Sequence, residues 1–346
     1  MNMPEIKNLT ALKGLFALFV IVGHYEPLVQ SLPGYSLNII MACFFTLSGF
    51  CLALNYTGRI LAPGFSYKDF IIRRFSKIYP IQWLIVILYV LFGINVVTYW
   101  AVPFHLTLTQ SLCPFWEINF TLNAATWFLS TTVILYLFFP VIIRCYNWNK
   151  RLLTALYGIG LVIMALGAVF LPETIGRKWL YYINPGARFF DFALGILLAD
   201  IYARWRHKEH SSSVLVSTFM EAVALFLFFA FVFGSYVWPG EYYRPVQVLY
   251  PFIILLILVF SLQGNGCFSM LFRTKLFQTL GGASLCIYMI HGFVISLISR
   301  SPLPWYINTV LIYIVVLVCS YFLNRYFIPW SSSVFQKLAY KWTSKR

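Results

Sequence analysis

Charge is what this sequence has least of. Only 10% of its 346 residues are Asp, Glu, Lys or Arg, 61% are hydrophobic, and the mean hydropathy is +0.80. A soluble domain carries roughly 25% charged residues, so too little polar surface is available here to cover a water-soluble fold. Also missing are a GxGxxG fingerprint, a P-loop and an HExxH pair, which removes the commonest soluble nucleotide-binding and zinc readings. The cysteines build neither a disulfide framework nor a Cys/His metal pattern. Cys43, Cys51, Cys145, Cys267, Cys286 and Cys319 fall in or beside apolar runs, and only Cys113 falls in an expected external loop. No metal site is expected.

What the chain does have is a succession of long apolar runs. They fall at about 9–30, 37–56, 78–97, 125–143, 152–171, 186–203, 213–234, 245–263, 276–298 and 306–328. Each approaches the roughly 20 residues that cross a hydrocarbon core of about 30 Å. The expected fold is all-α, a polytopic transmembrane helix bundle of about ten spans, with residues 1–346 as one transmembrane domain. The first run resembles a signal-peptide core, but an uncleaved first helix is the better reading because another hydrophobic helix follows it.

Charge placement orients the bundle. One side collects both termini and the loops 57–77, 144–151, 200–212 and 263–275, with Arg59, Lys68, Arg73, Arg74, Lys77, Arg144, Lys150, Arg151, Lys208, Arg273, Lys337, Lys341, Lys345 and Arg346 among their bases. The other side has Arg177, Lys178, Arg244 and Arg300, set against Glu117, Glu173 and Glu241. The positive-inside rule therefore predicts cytoplasmic termini. The formal net charge of +15 is mostly this bias, so nucleic acid is not an expected partner, whereas anionic lipid headgroups are. Two connections are long: the basic loop 57–77, and the external segment 98–124, whose Pro103, His105, Pro114, Trp116 and Glu117 predict an ordered interfacial cap.

Ionisable residues inside apolar runs are costly and normally face an interior, a cavity or a substrate path. Lys13 and His24 are eleven positions apart in the first run, which returns them to within about 20° of one helix face and separates them by roughly 16 Å. A stripe of chemistry is one reading; a snorkelling lysine with a packing histidine is the other. A neutral imidazole, with an ordinary pKa near 6.5, can take a proton from an attacking hydroxyl. Glu26 lies off the face of His24, so any orienting partner comes from another span.

In the sixth run, Arg188 and Asp191 are three apart and can pair in the interior, as a clamp between helices or as a substrate contact. In the ninth, Ser284, Tyr288 and His291 share a side. Counted from the cytoplasmic ends, His24 and His291 each lie about fifteen residues, or roughly 22 Å, into their helices, which favours a common site. Helix packing around Gly281, Gly282 and Gly292 accounts for the glycines but poorly for the histidine. Trp127, with Ser130 and Thr131 near it, reads equally as interfacial belt or as substrate contact. Arg73, Arg74 and Lys77 lie within five residues and suit a phosphorylated donor.

Taken together, LTALKGLFALFVIVGHY, FFTLSGF at 44–50, RRFSKIYP at 73–80, TWFLSTTVILYLFFP at 126–140, RFFDFALG at 188–195 and LGGASLCIYMIHGF at 280–293 resemble acyltransferase family 3. The resemblance spans most of the chain. The family pattern usually has arginine where Lys13 and Lys77 stand, and often glutamate where Thr132 and Asp191 stand. The two lysines keep the charge without the guanidinium fork.

The resemblance implies a membrane-bound O-acyltransferase of the bacterial inner membrane. It would move an acyl group, acetyl expected, from acyl-CoA to a sugar hydroxyl of an exported or lipid-linked glycan, with glycan-assembly proteins as possible partners. Acyl-CoA would be a co-substrate rather than a resident cofactor, docking near Lys13, Arg73, Arg74 and Lys77. His24 would act as base, with Arg188 orienting acceptor or donor and His291 shaping the site. Trp127, Ser130, Asp191, Ser284 and Tyr288 would line the substrate path. The rival reading is a transporter for an anionic metabolite or glycolipid with Lys13 and Arg188 on its pathway, though no internal repeat of the transporter kind is visible.

Overall fold

The computed structural model describes residues 6–32, 34–95, 99–170, 174–206, 213–234, 250–262 and 264–343. Glu173, Lys208, Glu241, Arg244, Lys345 and Arg346, together with the side chain of Arg177, lie outside the described residues. The chain starts on α1 (Lys7–His24) and continues through α2 (Glu26–Ser31), α3 (Leu37–Leu61) and α4 (Tyr67–Leu91). A connecting stretch with the short α5 (Val102–Thr107) and α6 (Trp116–Phe120) leads to α7 (Trp127–Trp148), α8 (Lys150–Phe170) and α9 (Ile175–Lys178). Then come α10 (Pro185–Trp205), α11 (Val214–Phe233), α12 (Tyr250–Leu262), α13 (Cys267–Phe272) and α14 (Lys275–Gly282). The last helices are α15 (Ser284–Ile298), α16 (Trp305–Phe322) and α17 (Ile328–Thr343), with a π turn at Leu323–Phe327 joining the final two.

The protein is an all-α, multi-spanning membrane bundle. Among the described residues, six helices are long and apolar enough to cross a membrane, or seven if α14 and α15 count as one bent span. The sequence expectation of about ten is larger. Helices α1 and α10 are not among the six, and both carry ionisable side chains in their interiors, Lys13 in one and Arg188 and Asp191 in the other. Helix α12 is described over only 13 residues.

Four expected boundaries shift, each for a local reason. The first run breaks at Tyr25, which is extended (φ −106°, ψ 103°). A continued helix would set the ring of Pro27 against the Gly23 carbonyl. The basic stretch expected as loop 57–77 is mostly helical, because α3 runs to Leu61 and α4 starts at Tyr67. Ser66 caps that start by accepting from the Asp69 N–H at 3.1 Å, so Arg73, Arg74 and Lys77 ride on a helix. The ninth run bends by 66° between Gly282 and Ser284. Finally, the tail after residue 328 continues the tenth helix, giving one 38-residue rod over Trp305–Trp342.

Two backbone crossings hold the bundle tightly. Where α3 meets α10, a methyl on Gly195 would sit 2.0 Å from the Thr46 carbonyl oxygen, and one on Gly49 would sit 2.0 Å from that of Phe192. Where α1 meets α14, a methyl on Gly281 would be 2.0 Å from the Thr10 oxygen. Small residues permit such approach, and without a hydrophobic driving force in lipid this contact is what binds one helix to another.

The crossing makes a direct prediction. Gly195→Ala must push apart backbone atoms that cannot rotate away, and overpacking of this kind costs about 1–3 kcal/mol. It should lower the thermal midpoint in detergent, whereas Gly58→Ala, where a methyl meets nothing within 4 Å, should hold or slightly raise it. Equal midpoints for the two variants would refute the account.

Candidate active site

Two histidines from distant parts of the chain meet. His24 closes the last turn of α1, with its Nδ1 2.9 Å from the Val20 carbonyl oxygen. A carbonyl only accepts, so Nδ1 carries the proton in that bond and Nε2 is left as the accepting atom. His291, in the middle of α15, repeats the arrangement, with Nδ1 donating to the Tyr288 oxygen at 2.7 Å. Its Nε2 is buried and finds no partner among the described residues. The rings lie 4.8 Å apart at 59°. An unsatisfied buried nitrogen costs about 1–3 kcal/mol, and here it marks a place where a donor group is wanted.

On the other side of Tyr288 lies a recess of about 340 Å³ between α1, α3, α4, α7 and α15. Lys13, Arg74 and Lys77 converge on it with Thr132, Ser284 and Tyr288, and no carboxylate lines it among the described residues. Arg74 is held by stacking over Tyr56 at 4.3 Å, and its Nε is buried without a partner. Ser284 is the first residue of α15, so the positive end of that helix dipole adds to the three cations. Arg73 does not enter; it lies exposed on the outer face of α4 beside Asp69 and Tyr340. The Tyr288 ring separates the recess from His291, 5.7 Å away centre to centre, while its hydroxyl donates to the Ala125 oxygen at 2.6 Å. The histidines themselves do not line the recess.

Arg188 and Asp191 form a separate, closed cluster. Arg188 is 1% exposed and Asp191 fully buried. The guanidinium donates to Asp191 at 2.9 Å, to the Tyr182 oxygen at 2.7 Å and to Asn38 Oδ1 at 2.5 Å, while Tyr250 donates to the other Asp191 oxygen at 2.5 Å. Its planar face lies over Phe45, Trp127 and Tyr182 at 5.3–5.7 Å. Trp127, at 2% exposure, is thus part of this wall and not an interfacial belt residue. Asn38 and Tyr250 escape a reading of the sequence because each lies far along the chain from the pair it serves. Glu221 escaped it too. Buried in the apolar α11, it accepts from the Gly266 and Ser269 N–H groups at 3.1 Å and from Ser269 Oγ at 2.5 Å, capping α13. A lone carboxylate in the run VLVSTFMEAVALF was the available signal.

A family model described as an acyltransferase domain, that of acyltransferase family 3, matches residues 6–325. The chain belongs to that family. Searches of curated proteins and of solved structures return no match. As a member of acyltransferase family 3, the protein falls in a class of membrane-bound transferases whose donors are of the acyl-CoA type.

The stretch between α4 and α7 closes over α7. Ser130 donates to the Leu108 oxygen at 2.8 Å and accepts from the Ser111 N–H at 3.1 Å, so its hydroxyl is spent on holding that stretch down. Fully buried His105 donates from Nε2 to the Ile118 oxygen at 2.8 Å, and burial pushes its pKa from an ordinary 6.5 to about 4. Between those values the unfolded chain binds a proton that the folded one refuses. The contribution of His105 is therefore whole above pH 6.5 and drains away as pH falls toward about 4. His105→Gln should flatten the decline in thermal midpoint across that window; an unchanged slope would assign the decline to other groups.

Proposed function

We propose that the protein is an O-acyltransferase that moves an acyl group, acetyl in the simplest case, from acyl-CoA to a sugar hydroxyl of an exported or lipid-linked glycan. Residues 1–346 act as one transmembrane domain in a bacterial inner membrane, with ten membrane-associated segments and both termini in the cytoplasm. The observation that carries the reading is the junction at Tyr288. A recess lined, among the described residues, by three cations and no carboxylate ends there, and two imidazoles, each with Nε2 free to accept, stand directly behind it.

In this reading Lys13, Arg74 and Lys77 hold the phosphates and arm of the donor, and Arg73 draws it in from the cytoplasmic face. Ser284 and the positive end of α15 face the arm of the donor in the recess, below the imidazoles. The sugar hydroxyl attacks the acyl carbon, its proton passes to His24 Nε2, a C–O bond forms and the C–S bond breaks. The departing CoA thiolate takes the proton back from the imidazolium, leaving the base neutral for the next cycle. His291 accepts a hydrogen bond from the reacting hydroxyl or from protonated His24, which supplies the donor its Nε2 lacks. Arg188 is a positioning residue: with Asp191 it fixes the wall that carries Trp127, while Ser130 holds down the stretch over α7 and Tyr288 borders the recess. A glycan passing between assembly proteins would meet the site from the external side.

General-base contributions are typically about 10²–10⁴-fold. Purified His24→Ala, shown to be folded by its thermal midpoint, should lose acyl transfer from labelled acyl-CoA to membrane glycan by at least about a hundredfold. Wild-type turnover in that variant would eliminate the assigned role.

A further inference from the structure

Lys77 lines two spaces at once. One is the inner recess; the other is a larger outer recess of about 760 Å³ between α4 and the α16–α17 rod, to which Lys337, Ser333 and Asn324 also contribute. That volume is within the roughly 300–1,000 Å³ of small-molecule sites. The described residues lining it include two lysines and no carboxylate. Ser333 and Lys337 are four apart on one face of α17, and both are exposed.

Helix α17 is firmly placed for such a role. Ser332 donates to Ser76 Oγ at 2.8 Å and Gln336 Nε2 donates to the same oxygen at 3.0 Å, while Phe335 packs against Trp83 at 5.9 Å. The 38-residue rod of which it is the end is about 57 Å long, nearly twice the hydrocarbon thickness. This end therefore reaches water, beside the basic start of α4. It also lies beyond residues 6–325, the stretch that the family model covers.

The geometry points to the outer recess as the seat of the 3′-phosphorylated nucleoside end of the acyl-CoA donor, with Lys337 and Ser333 contacting the 3′-phosphate and Lys77 marking the threshold where the diphosphate and pantetheine arm turn inward toward Arg74 and Lys13. This rests on the acyl-CoA reading above. A nucleotide is favoured over a lipid headgroup because the outer recess shares a lining lysine with the inner one, and only a long donor would occupy both.

Two measurements on the full chain in detergent decide it. In acyl transfer, Lys337→Ala should raise KM for acetyl-CoA about fivefold, the size of one solvent-exposed charge contact, with kcat nearly constant. KM for acetyl-pantetheine, which lacks the nucleotide, should not move, and Lys337→Arg should restore the acetyl-CoA value. In calorimetry without any acceptor, CoA should bind Lys337→Ala about fivefold more weakly than wild type, and pantetheine equally to both. Unaltered CoA affinity, or an equal loss for CoA and pantetheine, overturns the assignment. Should wild type bind CoA yet transfer acyl from neither donor, the transferase reading fails while the binding comparison still decides the recess.

Discussion

Everything in this bundle depends on keeping a buried guanidinium satisfied. Arg188 is nearly inaccessible, and it reaches Asn38 on α3, Tyr182 in the π turn Trp179–Ile183 and Asp191 on its own helix, while Tyr250 on α12 completes the carboxylate. Breaking a buried pair by removing one partner costs about 3–5 kcal/mol, because the other charge is stranded. The exposed Lys150–Asp200 bridge at 2.6 Å is worth at most about 1 kcal/mol by comparison. The buried pair thus constrains the register of α3, α10 and α12 together. The glycine contacts of Gly49 and Gly195 then bring α3 and α10 close enough for Asn38 to reach it.

With that wall set, the opposite side of the bundle is free to hold chemistry. Helix α1 carries both Lys13 and His24, and the α14–α15 bend delivers Ser284 toward the lysine and His291 toward the histidine. The bend arises where Gly281 presses on Thr10, so the same close contact that binds α14 to α1 also aims the start of α15 into the basic recess.

Much of this was legible in the sequence, and the rest was hidden for identifiable reasons. The all-α membrane class follows from apolar run length. The shared depth of His24 and His291 followed from counting residues at 1.5 Å of rise, and in the structure the rings stand 4.8 Å apart. Periodicity could not show that Arg73 and Arg74, adjacent in sequence, diverge by about 100° on a helix, sending one outward and the other into the recess. Nor could it find the loop 62–66, because the Ser66 cap is a three-residue signal inside a basic stretch that reads as a connection. Asn38, Glu221 and Tyr250 were invisible for a different cause: their importance lies in partners 45 to 150 residues away.

The cations of the site are graded by depth. Lys337 and Lys77 are exposed, Lys13 and Arg74 are half-buried, and on the far side of Tyr288 stand the two imidazoles. This order follows from desolvation: a lysine or arginine retains its charge cheaply only where water or an anion reaches it, so the chain of positive groups stops where the recess stops. A group that must accept a proton belongs past that point, since a neighbouring cation would disfavour its protonated form. The aromatic ring of Tyr288 provides the division, with the imidazoles on one side and the cations of the recess on the other. The basic recess and the paired imidazoles are thus adjoining but electrostatically distinct parts of a single bundle.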